Sequence, residues 1–258
     1  MRLFFTPIGY KTPEKERNAE KFAQLFSIEV KGIKIQCYAW GTADKTVLLI
    51  HGWAGRATQF RRFIKPLLKA GYKVIGFDGP AHGKSGGRTT TFREFEDALK
   101  SIYARTGQPE AIIAHSYGGS AALYAAMNGL SVPKLINIAS PTIGDEIVNT
   151  YLKAIGGSQK TKEYFYRFIQ AKYGKPFHEF SALHFVRHLP QKVDLLLIHD
   201  EDDKEVSMQH PLQLLAAYPS AQLFKTSGLG HTRILKDDDV IRKCVTFITD
   251  QPSTESRL

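Results

Sequence analysis

Short runs of apolar, mostly β-branched residues alternate along the chain with longer stretches in which apolar residues recur at helical spacing. Residues 48–50 and 195–198 are continuously apolar, as expected of strands buried on both faces of a sheet. We predict strands at residues 34–40, 46–50, 73–77, 111–115, 134–139, 193–199 and 222–226. We predict helices between them at 56–70, 91–105, 116–128 and 208–217. This alternation predicts an α/β fold with a doubly wound, mostly parallel sheet.

The alternation is interrupted once, between residues 145 and 192, where several helical pieces and no strand are predicted. The interval is rich in aromatic residues, namely Tyr151, Tyr164, Phe165, Tyr166, Phe168, Tyr173, Phe177, Phe180 and Phe185. We interpret 145–192 as a helical cap, or lid, inserted into a core formed by residues 1–144 and 193–258. Its aromatic rings either contact an apolar substrate or pack the cap onto the core. We further expect a polar helix around residues 13–26 and a loose tail at 251–258.

Composition excludes several classes of protein. The 258 residues are 43% hydrophobic and 23% charged, which is typical of a folded globular chain rather than a disordered one. Two cysteines, Cys37 and Cys244, are too few for a disulfide framework or a zinc site of clustered thiolates. We expect no signal peptide and no transmembrane helix, because no apolar stretch is long enough for either. The expected location is therefore the cytoplasm.

The formal net charge of +10 raises the question of an acidic partner. One segment, residues 51–73, contains basic residues and no acidic one: Arg56, Arg61, Arg62, Lys65, Lys69 and Lys73. It is interpreted either as a solvated helix face or as an attractor for acidic substrates or surfaces. No zinc-finger spacing, RNA-binding aromatic motif or basic-region heptad accompanies it, so we expect no nucleic acid as partner.

Ser116 lies where a predicted buried strand passes directly into a predicted helix. Small residues stand two positions away on either side, Ala114 and Gly118, in the pattern A-x-S-x-G. A sharp strand-to-helix turn needs such small neighbours and lifts the serine hydroxyl above the sheet. The pattern predicts a nucleophilic serine. The alternative interpretation is a serine that merely caps the following helix.

A serine hydroxyl becomes a good nucleophile only when a base takes its proton and a carboxylate orients that base. His231 follows the last predicted strand in a glycine-rich loop and is the candidate base. An acidic cluster at residues 200–203 follows the strand predicted at 193–199. The order of serine, acid and histidine along the chain is the one that a nucleophile elbow requires. Asp203, Asp202 and Asp145 are all candidates for the acid.

These motifs resemble those of the α/β-hydrolase family over roughly residues 34–247. Residues 51–55, HGWAG, look like the family's H-G-x-x-G loop. Residues 78–85 are similar to its D-x-x-G-x-G-x-S turn, with Ala81 in place of a glycine, and residues 199–203 resemble H-G-x-x-D, with Asp200 in place of a glycine. The resemblance implies a catalytic serine, acid and base, with an oxyanion hole of two backbone amides: Ser116, Asp203, His231, Trp53 and Tyr117.

The resemblance also implies an enzyme that cleaves an ester or related acyl bond through an acyl-enzyme on Ser116, with no metal and no organic cofactor. We expect a small-molecule acyl substrate with an apolar or anionic part, and the oligomeric state is left open. Thioesterase, C–C hydrolase and cofactor-free peroxidase activities use the same three side chains, and the sequence does not separate them. The alternative from another class is a non-catalytic ligand-binding receptor on the same fold.

Overall fold

Residues 2–250 are described by a computed structural model, and within them the chain forms one eight-stranded sheet with helices on both faces. The expected tail, 251–258, lies outside the described residues. The strands are β1 Gln24–Val30, β2 Ile33–Trp40, β3 Thr46–Ile50, β4 Lys73–Phe77, β5 Ala111–His115, β6 Lys134–Ile138, β7 Asp194–Asp200 and β8 Gln222–Thr226.

The α-helices are α1 Glu14–Lys21, α2 Arg61–Lys69, α3 Phe92–Thr106, α4 Tyr117–Met127, α5 Gly144–Ala154, α6 Gln159–Tyr173, α7 Ala182–Arg187, α8 Gln209–Ala217, α9 Gly230–Arg233 and α10 Asp238–Thr249. Short 3₁₀ helices occur at Arg2–Phe5, Ala57–Phe60, Phe177–Phe180 and Ile234–Lys236. None of the helices in the described part of the chain has both the length and the apolar character that crossing a bilayer requires.

The strand order is β1-β2-β4-β3-β5-β6-β7-β8. The pairs β1–β2 and β2–β4 are antiparallel, and every other neighbouring pair is parallel. Strands β3 and β5 lie in the middle of the sheet and are buried along their whole length, which explains their continuous apolar runs. The predicted mostly parallel sheet is confirmed.

The first strand was not predicted. The helix expected around 13–26 ends at Lys21, and the chain then enters β1, an edge strand whose side chains are mostly exposed or half-buried. A strand with so little burial lacks a clear hydrophobic period. Its hairpin to β2 turns at Lys31 and Gly32, whose φ angles of 51° and 76° are those of a tight two-residue β-turn. The lysine–glycine pair was the local signal for this hairpin.

Two apolar layers hold the helices against the sheet. One layer contains side chains of α3, α4, α7 and α8, and the other contains side chains of α2 and α10. Helix α10, which the sequence analysis did not identify, begins at an Asp237 cap that accepts hydrogen bonds from the amides of Asp239 and Val240. In the parallel part of the sheet the loops after β3, β5, β7 and β8 emerge at the same edge, so residues distant in sequence meet there.

The segment between β6 and β7 contains α5, α6 and α7, in agreement with the helices expected there. Most of its aromatic rings pack among themselves, around buried Phe165 and Ile169. The N-terminal 3₁₀ helix joins this cluster: the Phe4 ring lies 4.7 Å from the Phe165 ring and 4.8 Å from the Tyr151 ring. Phe185 instead joins the main core beside α3 and α4. The sequence pattern gave no indication of the contact with Phe4.

Candidate active site

Ser116 forms a strained turn between β5 and α4. Its φ of 51° and ψ of −126° lie in a region that residues other than glycine rarely adopt. Its amide still bonds to the carbonyl oxygen of Ile138 at 2.8 Å, so the sheet ladder continues up to the turn. A Cβ atom added to Gly118 would lie 2.5 Å from the carbonyl oxygen of His51. The small residue at 118 is therefore required because the first turn of α4 closely approaches the backbone at the end of β3.

His231 lies between Ser116 and Asp203. Its Nε2 is 3.0 Å from Ser116 Oγ, and its Nδ1 is 2.7 Å from Asp203 Oδ2. The other carboxylate oxygen of Asp203 accepts hydrogen bonds from the amides of Glu205 at 2.8 Å and Val206 at 3.0 Å. Burial raises the pKa of Asp203, but the hydrogen bonds from His231 and the two amides outweigh it and hold the pKa below its usual value. An ionised Asp203 keeps the proton on Nδ1 and leaves Nε2 able to accept one.

The two other candidate acids lie elsewhere. Asp202 accepts a hydrogen bond from the amide of Gly228 at 2.7 Å. Asp145, in the first turn of α5, accepts one from the Tyr166 hydroxyl. Within residues 2–250, neither carboxylate makes a hydrogen bond or ion pair with His231.

The loop of residues 51–55 contacts the serine turn. It is closed by a hydrogen bond of 3.0 Å from the amide of Gly55 to the carbonyl oxygen of Gly52, and a Cβ atom on Gly52 would lie 2.8 Å from Ser116 Cβ. Tyr117 begins α4, so its amide has no acceptor within the helix. The amide of Trp53 donates no hydrogen bond to any of the described residues. Backbone amides without an acceptor in the described residues can donate to a negatively charged oxygen of a bound molecule.

The carboxylate of Asp78 makes hydrogen bonds that connect the region of this loop to the turn at 78–85. Its Oδ1 accepts a hydrogen bond of 2.9 Å from the amide of Ala57, just after the 51–55 loop. Its Oδ2 accepts hydrogen bonds from the amide of Lys84 at 2.8 Å and the hydroxyl of Tyr38 at 3.0 Å. The turn at 78–85 is therefore a support for the loop that carries Trp53.

Aromatic side chains pack around Tyr117, the residue after the serine, and an acidic side chain lies near His231. The Trp53 ring lies 5.3 Å from the Tyr117 ring, and Phe92 stacks on Tyr117 at 4.7 Å. The exposed carboxylate of Glu205 is 3.8 Å from His231 Nε2. The site therefore has an apolar wall and a negative charge close to the histidine.

Residues 45–152 match the family model for the alpha/beta hydrolase fold. The chain has the α/β-hydrolase fold. An esterase of Pyrococcus furiosus shares this fold, with a TM-score of 0.70 and 22% identity over 95% of this chain and 97% of that chain. The predicted fold class is thereby confirmed.

Curated sequence relatives cover a smaller share of the chain. The hydrolase YugF of Bacillus subtilis is 25% identical over 228 residues, which are 72% of this chain and 83% of that protein. The dihydrolipoyllysine-residue acetyltransferase component of the acetoin cleaving system of Cupriavidus necator is 28% identical over 160 residues, 60% of this chain and 42% of that protein. The chain spans between 36% and 47% of the length of three curated relatives that it matches.

The three departures from the family's motifs differ in their structural effect. Ala114 is buried inside β5, where its methyl group fits. Ala81 has a φ of 64°, a conformation that costs an alanine about 1 kcal/mol relative to glycine. Asp200 is fully buried, and its carboxylate accepts four hydrogen bonds. In the sequence, Asp200 is notable only as the residue in place of a glycine, so this role was not predicted.

Arg56 does not belong to an exposed basic face, because it is buried. Its guanidinium donates to the Thr12 hydroxyl and, at 2.7 Å, to the Tyr10 carbonyl oxygen. It also lies 4.3 Å above the Tyr10 ring, and its Nε is 3.8 Å from the Glu16 carboxylate. Arg56 therefore anchors residues 10–16 next to the 51–55 loop and is not available to attract an acidic substrate.

Five buried histidines lie at the site and its supporting loops: His51, His82, His115, His199 and His210. Burial is the largest cause of their lowered pKa values, which are about 4 for His51 and His210, about 3 for His82 and His115, and below the usual value for His199. The hydrogen bonds agree with neutral rings. His51 Nε2 accepts one from the amide of Gly79, and His210 Nδ1 accepts one from the amide of Thr142, both at 2.8 Å. Protonation would turn each acceptor nitrogen into a donor that faces another donor.

We expect the stability of the protein to fall steeply as the pH decreases from about 6.5 towards about 4.5. His51, His82, His115 and His210 each bind a proton near pH 6.5 in the unfolded chain, but they stay neutral down to about pH 4 or 3 in the folded protein. In that window the unfolded state binds more protons, so the free energy of unfolding drops by about 1.4 kcal/mol per pH unit for each of them and by about 5.5 kcal/mol per pH unit for the four together. Urea unfolding across this range measures the slope.

A variant provides the control for this pH dependence. In His210→Asn the amide oxygen can accept the hydrogen bond from Thr142, and the titrating ring is gone. The slope of the free energy of unfolding against pH should then be smaller by about 1.4 kcal/mol per pH unit, which is the contribution of one proton. A free energy of unfolding that stays constant between about pH 7 and about pH 5 in the parent protein would contradict the prediction.

Proposed function

We propose that this protein is a serine hydrolase that cleaves an ester or closely related acyl bond, with Ser116 as nucleophile, His231 as base and Asp203 as acid. The observation that carries the proposal is the continuous contact from Ser116 Oγ through the His231 ring to Asp203, at 3.0 and 2.7 Å. Similar proteins support hydrolysis, since a Bacillus subtilis hydrolase is a relative and a Pyrococcus furiosus esterase has the same fold.

In the first half of the reaction, Ser116 Oγ attacks the carbonyl carbon while its proton moves to His231 Nε2. The carbonyl oxygen becomes an oxyanion, and the amides of Trp53 and Tyr117 stabilise it. The ionised Asp203 stabilises the imidazolium that forms. His231 then gives the proton to the leaving alkoxide oxygen, the carbon–oxygen bond breaks, and the acyl group remains on Ser116 as an ester.

In the second half, a water molecule attacks the acyl-enzyme. Its proton moves to His231 Nε2, and a second oxyanion forms in contact with the same two amides. When this intermediate collapses, His231 returns the proton to Ser116 Oγ and the carboxylic acid leaves. Every proton in the cycle passes through Nε2, so the proposal needs no metal and no organic cofactor.

The substrate that fits this site is a small molecule with an apolar acyl part. Tyr117 follows Ser116 in the chain, and its ring packs against the rings of Trp53 and Phe92, so the three together supply apolar surface for a substrate. The carboxylate of Glu205, 3.8 Å from His231 Nε2, repels negative charge there, so an anionic group close to the scissile bond is disfavoured. We propose that residues 145–192 act as a cap over this site, above a core formed by the rest of the chain, in a cytoplasmic enzyme.

A fluorophosphonate probe tests the proposal. The probe should add its mass to Ser116 in the parent protein and not in Ser116→Ala. Ser120→Ala is the matched control, because this serine lies four residues further along α4 and bonds to the carbonyl oxygen of Pro141. The control should be labelled like the parent. Absence of labelling in the folded parent protein would favour a non-catalytic ligand-binding receptor.

A panel of acyl esters, thioesters and amides of graded size then separates the chemical classes. Apolar esters should be cleaved faster than esters of the same size with a carboxylate next to the scissile bond. Equal rates for the two kinds of ester would mean that Glu205 does not select against anionic substrates. Thioesters cleaved far faster than esters would shift the proposal to a thioesterase with the same three catalytic residues.

A further inference from the structure

Asp200, the last residue of β7, is completely buried, and its carboxylate is the centre of a hydrogen-bond cluster. The four donors are the Thr226 hydroxyl at 2.7 Å and the amides of Gly230 at 2.8 Å, Leu229 at 3.1 Å and Asp202 at 3.1 Å. Two carboxylate oxygens have about four lone-pair positions in total. The four donors therefore use the accepting capacity of this side chain fully.

The donors belong to the two loops that carry the proposed acid and base. Asp202 immediately precedes Asp203, and Gly230 immediately precedes His231. Thr226, directly across from Asp200 in the pairing of β7 with β8, closes the cluster at the sheet. One side chain therefore connects the loop after β7 to the loop after β8, next to the 2.7 Å contact between Asp203 and His231.

The cluster is matched to an ionised carboxylate. Burial raises the pKa of Asp200, but the hydrogen bonds from Gly230, Thr226, Leu229 and Asp202 outweigh it and hold the pKa below its usual value. A protonated carboxyl would have to donate, and of the four partners only the Thr226 hydroxyl can also accept. The side-chain amide of an asparagine has a similar problem, because its NH₂ group would face at least one backbone amide donor in a buried space, whichever oxygen position it takes.

We propose that Asp200 is a positioning residue that fixes the distance and angle between the Asp203 carboxylate and the His231 ring. This inference rests on the proposed function, because the contact matters for turnover only if His231 is the base. Asp200 touches no reacting atom and acts through the two loops. A displacement of either loop by a fraction of an ångström lengthens the contact with Nδ1 and moves Nε2 relative to Ser116 Oγ.

The test compares Asp200→Asn with Asp202→Asn. Asp202 is the matched control because it bonds to the same glycine-rich loop, through the amide of Gly228, but lies at the surface. Asp200→Asn should lower kcat by about 10- to 100-fold with KM changed less than about threefold, because binding surfaces stay in place while the proton-transfer geometry is lost. The control should keep kcat within about threefold.

A second measurement separates positioning from general stability. The proton on His231 Nδ1, shared with Asp203, gives a far-downfield proton NMR resonance. It should shift or disappear in Asp200→Asn and persist in Asp202→Asn. If Asp200→Asn does not fold, Asp200→Gly is measured instead, because it has the glycine of the family's pattern and brings no new donor. Thermal unfolding of the variant verifies that the assay temperature lies well below the unfolding midpoint.

The inference fails if a folded Asp200 variant keeps the kcat of the parent. It also fails if the resonance is unchanged, even when kcat falls, because the loss of turnover would then arise elsewhere. The resonance does not depend on activity. If the parent protein shows no turnover and no Ser116 labelling, the proposed function fails, and the resonance alone still decides whether Asp200 fixes the contact between Asp203 and His231.

Discussion

Replacement of Ser116 by alanine should lower ester turnover by a factor on the order of 10⁵ or more. Without the hydroxyl, His231 Nε2 has nothing to activate within its 3.0 Å contact, and no acyl-enzyme can form. The fold should be preserved, because alanine tolerates the φ of 51° that this turn requires. Ala81 and Ala139 already have φ angles of 64° and 51° in this protein. The measurement is kcat for a small activated ester, with circular dichroism to verify folding.

His231→Ala should cause a loss of similar size, and the double variant should be no worse than either single one. The two side chains act in one proton transfer, so removal of the second costs nothing once the first is gone. Ser120→Ala serves as the control and should keep the turnover of the parent. A double variant far slower than both single variants would mean that Ser116 and His231 contribute independently, contrary to a shared mechanism.

The second large effect concerns the acid. Asp203→Asn should lower kcat by a factor on the order of 10³ or more, with little effect on folding. The amides of Glu205 and Val206 both donate to Oδ1, so the asparagine oxygen should occupy that position. Its NH₂ group then faces His231 Nδ1 and donates to it. The ring proton is forced onto Nε2, where the serine proton would have to go, and the base is lost.

Asp202→Asn and Asp145→Asn are the controls for this prediction, since both were candidates for the same role. Each should cost less than about tenfold in kcat, because their carboxylates bond to Gly228 and Tyr166 and not to the histidine. A large loss of kcat in Asp145→Asn, together with a nearly unchanged kcat in Asp203→Asn, would mean that the acid is Asp145, which follows the earlier strand β6. The roles of Ser116 and His231 would survive that result.

The apolar pattern determined most of the sheet. Strands β3 and β5 are buried on both faces, so their side chains must be apolar along the whole strand, and that requirement is visible without any knowledge of their neighbours. Edge strand β1 has no such requirement, because solvent covers much of it, and it was missed. The N-terminal 3₁₀ helix was missed for a different reason: Phe4 is ordered by rings more than a hundred positions further along the chain.

The turn at Ser116 is also encoded locally. A buried strand, a serine with small residues two positions away and a helix immediately afterwards are all consecutive in sequence, and together they force the strained φ of 51°. The sequence therefore indicated this serine before any tertiary contact was known. It placed an acid and a histidine after the serine, but only the resemblance of residues 199–203 to H-G-x-x-D favoured Asp203 over Asp145 and Asp202, which share the same chemistry.

The contacts that distinguish these carboxylates exist only in the tertiary structure, because a carboxylate's role depends on which donors reach it. His231 meets a serine 115 positions away and an aspartate 28 positions away, where loops from different strands converge. Asp200 stands where the family pattern has glycine, and its donors in the loop before His231 lie 26 to 30 positions further along the chain. Local sequence determined which residues form strands and turns, whereas the meeting of loops at one edge of the sheet decided which charges are paired, and with what.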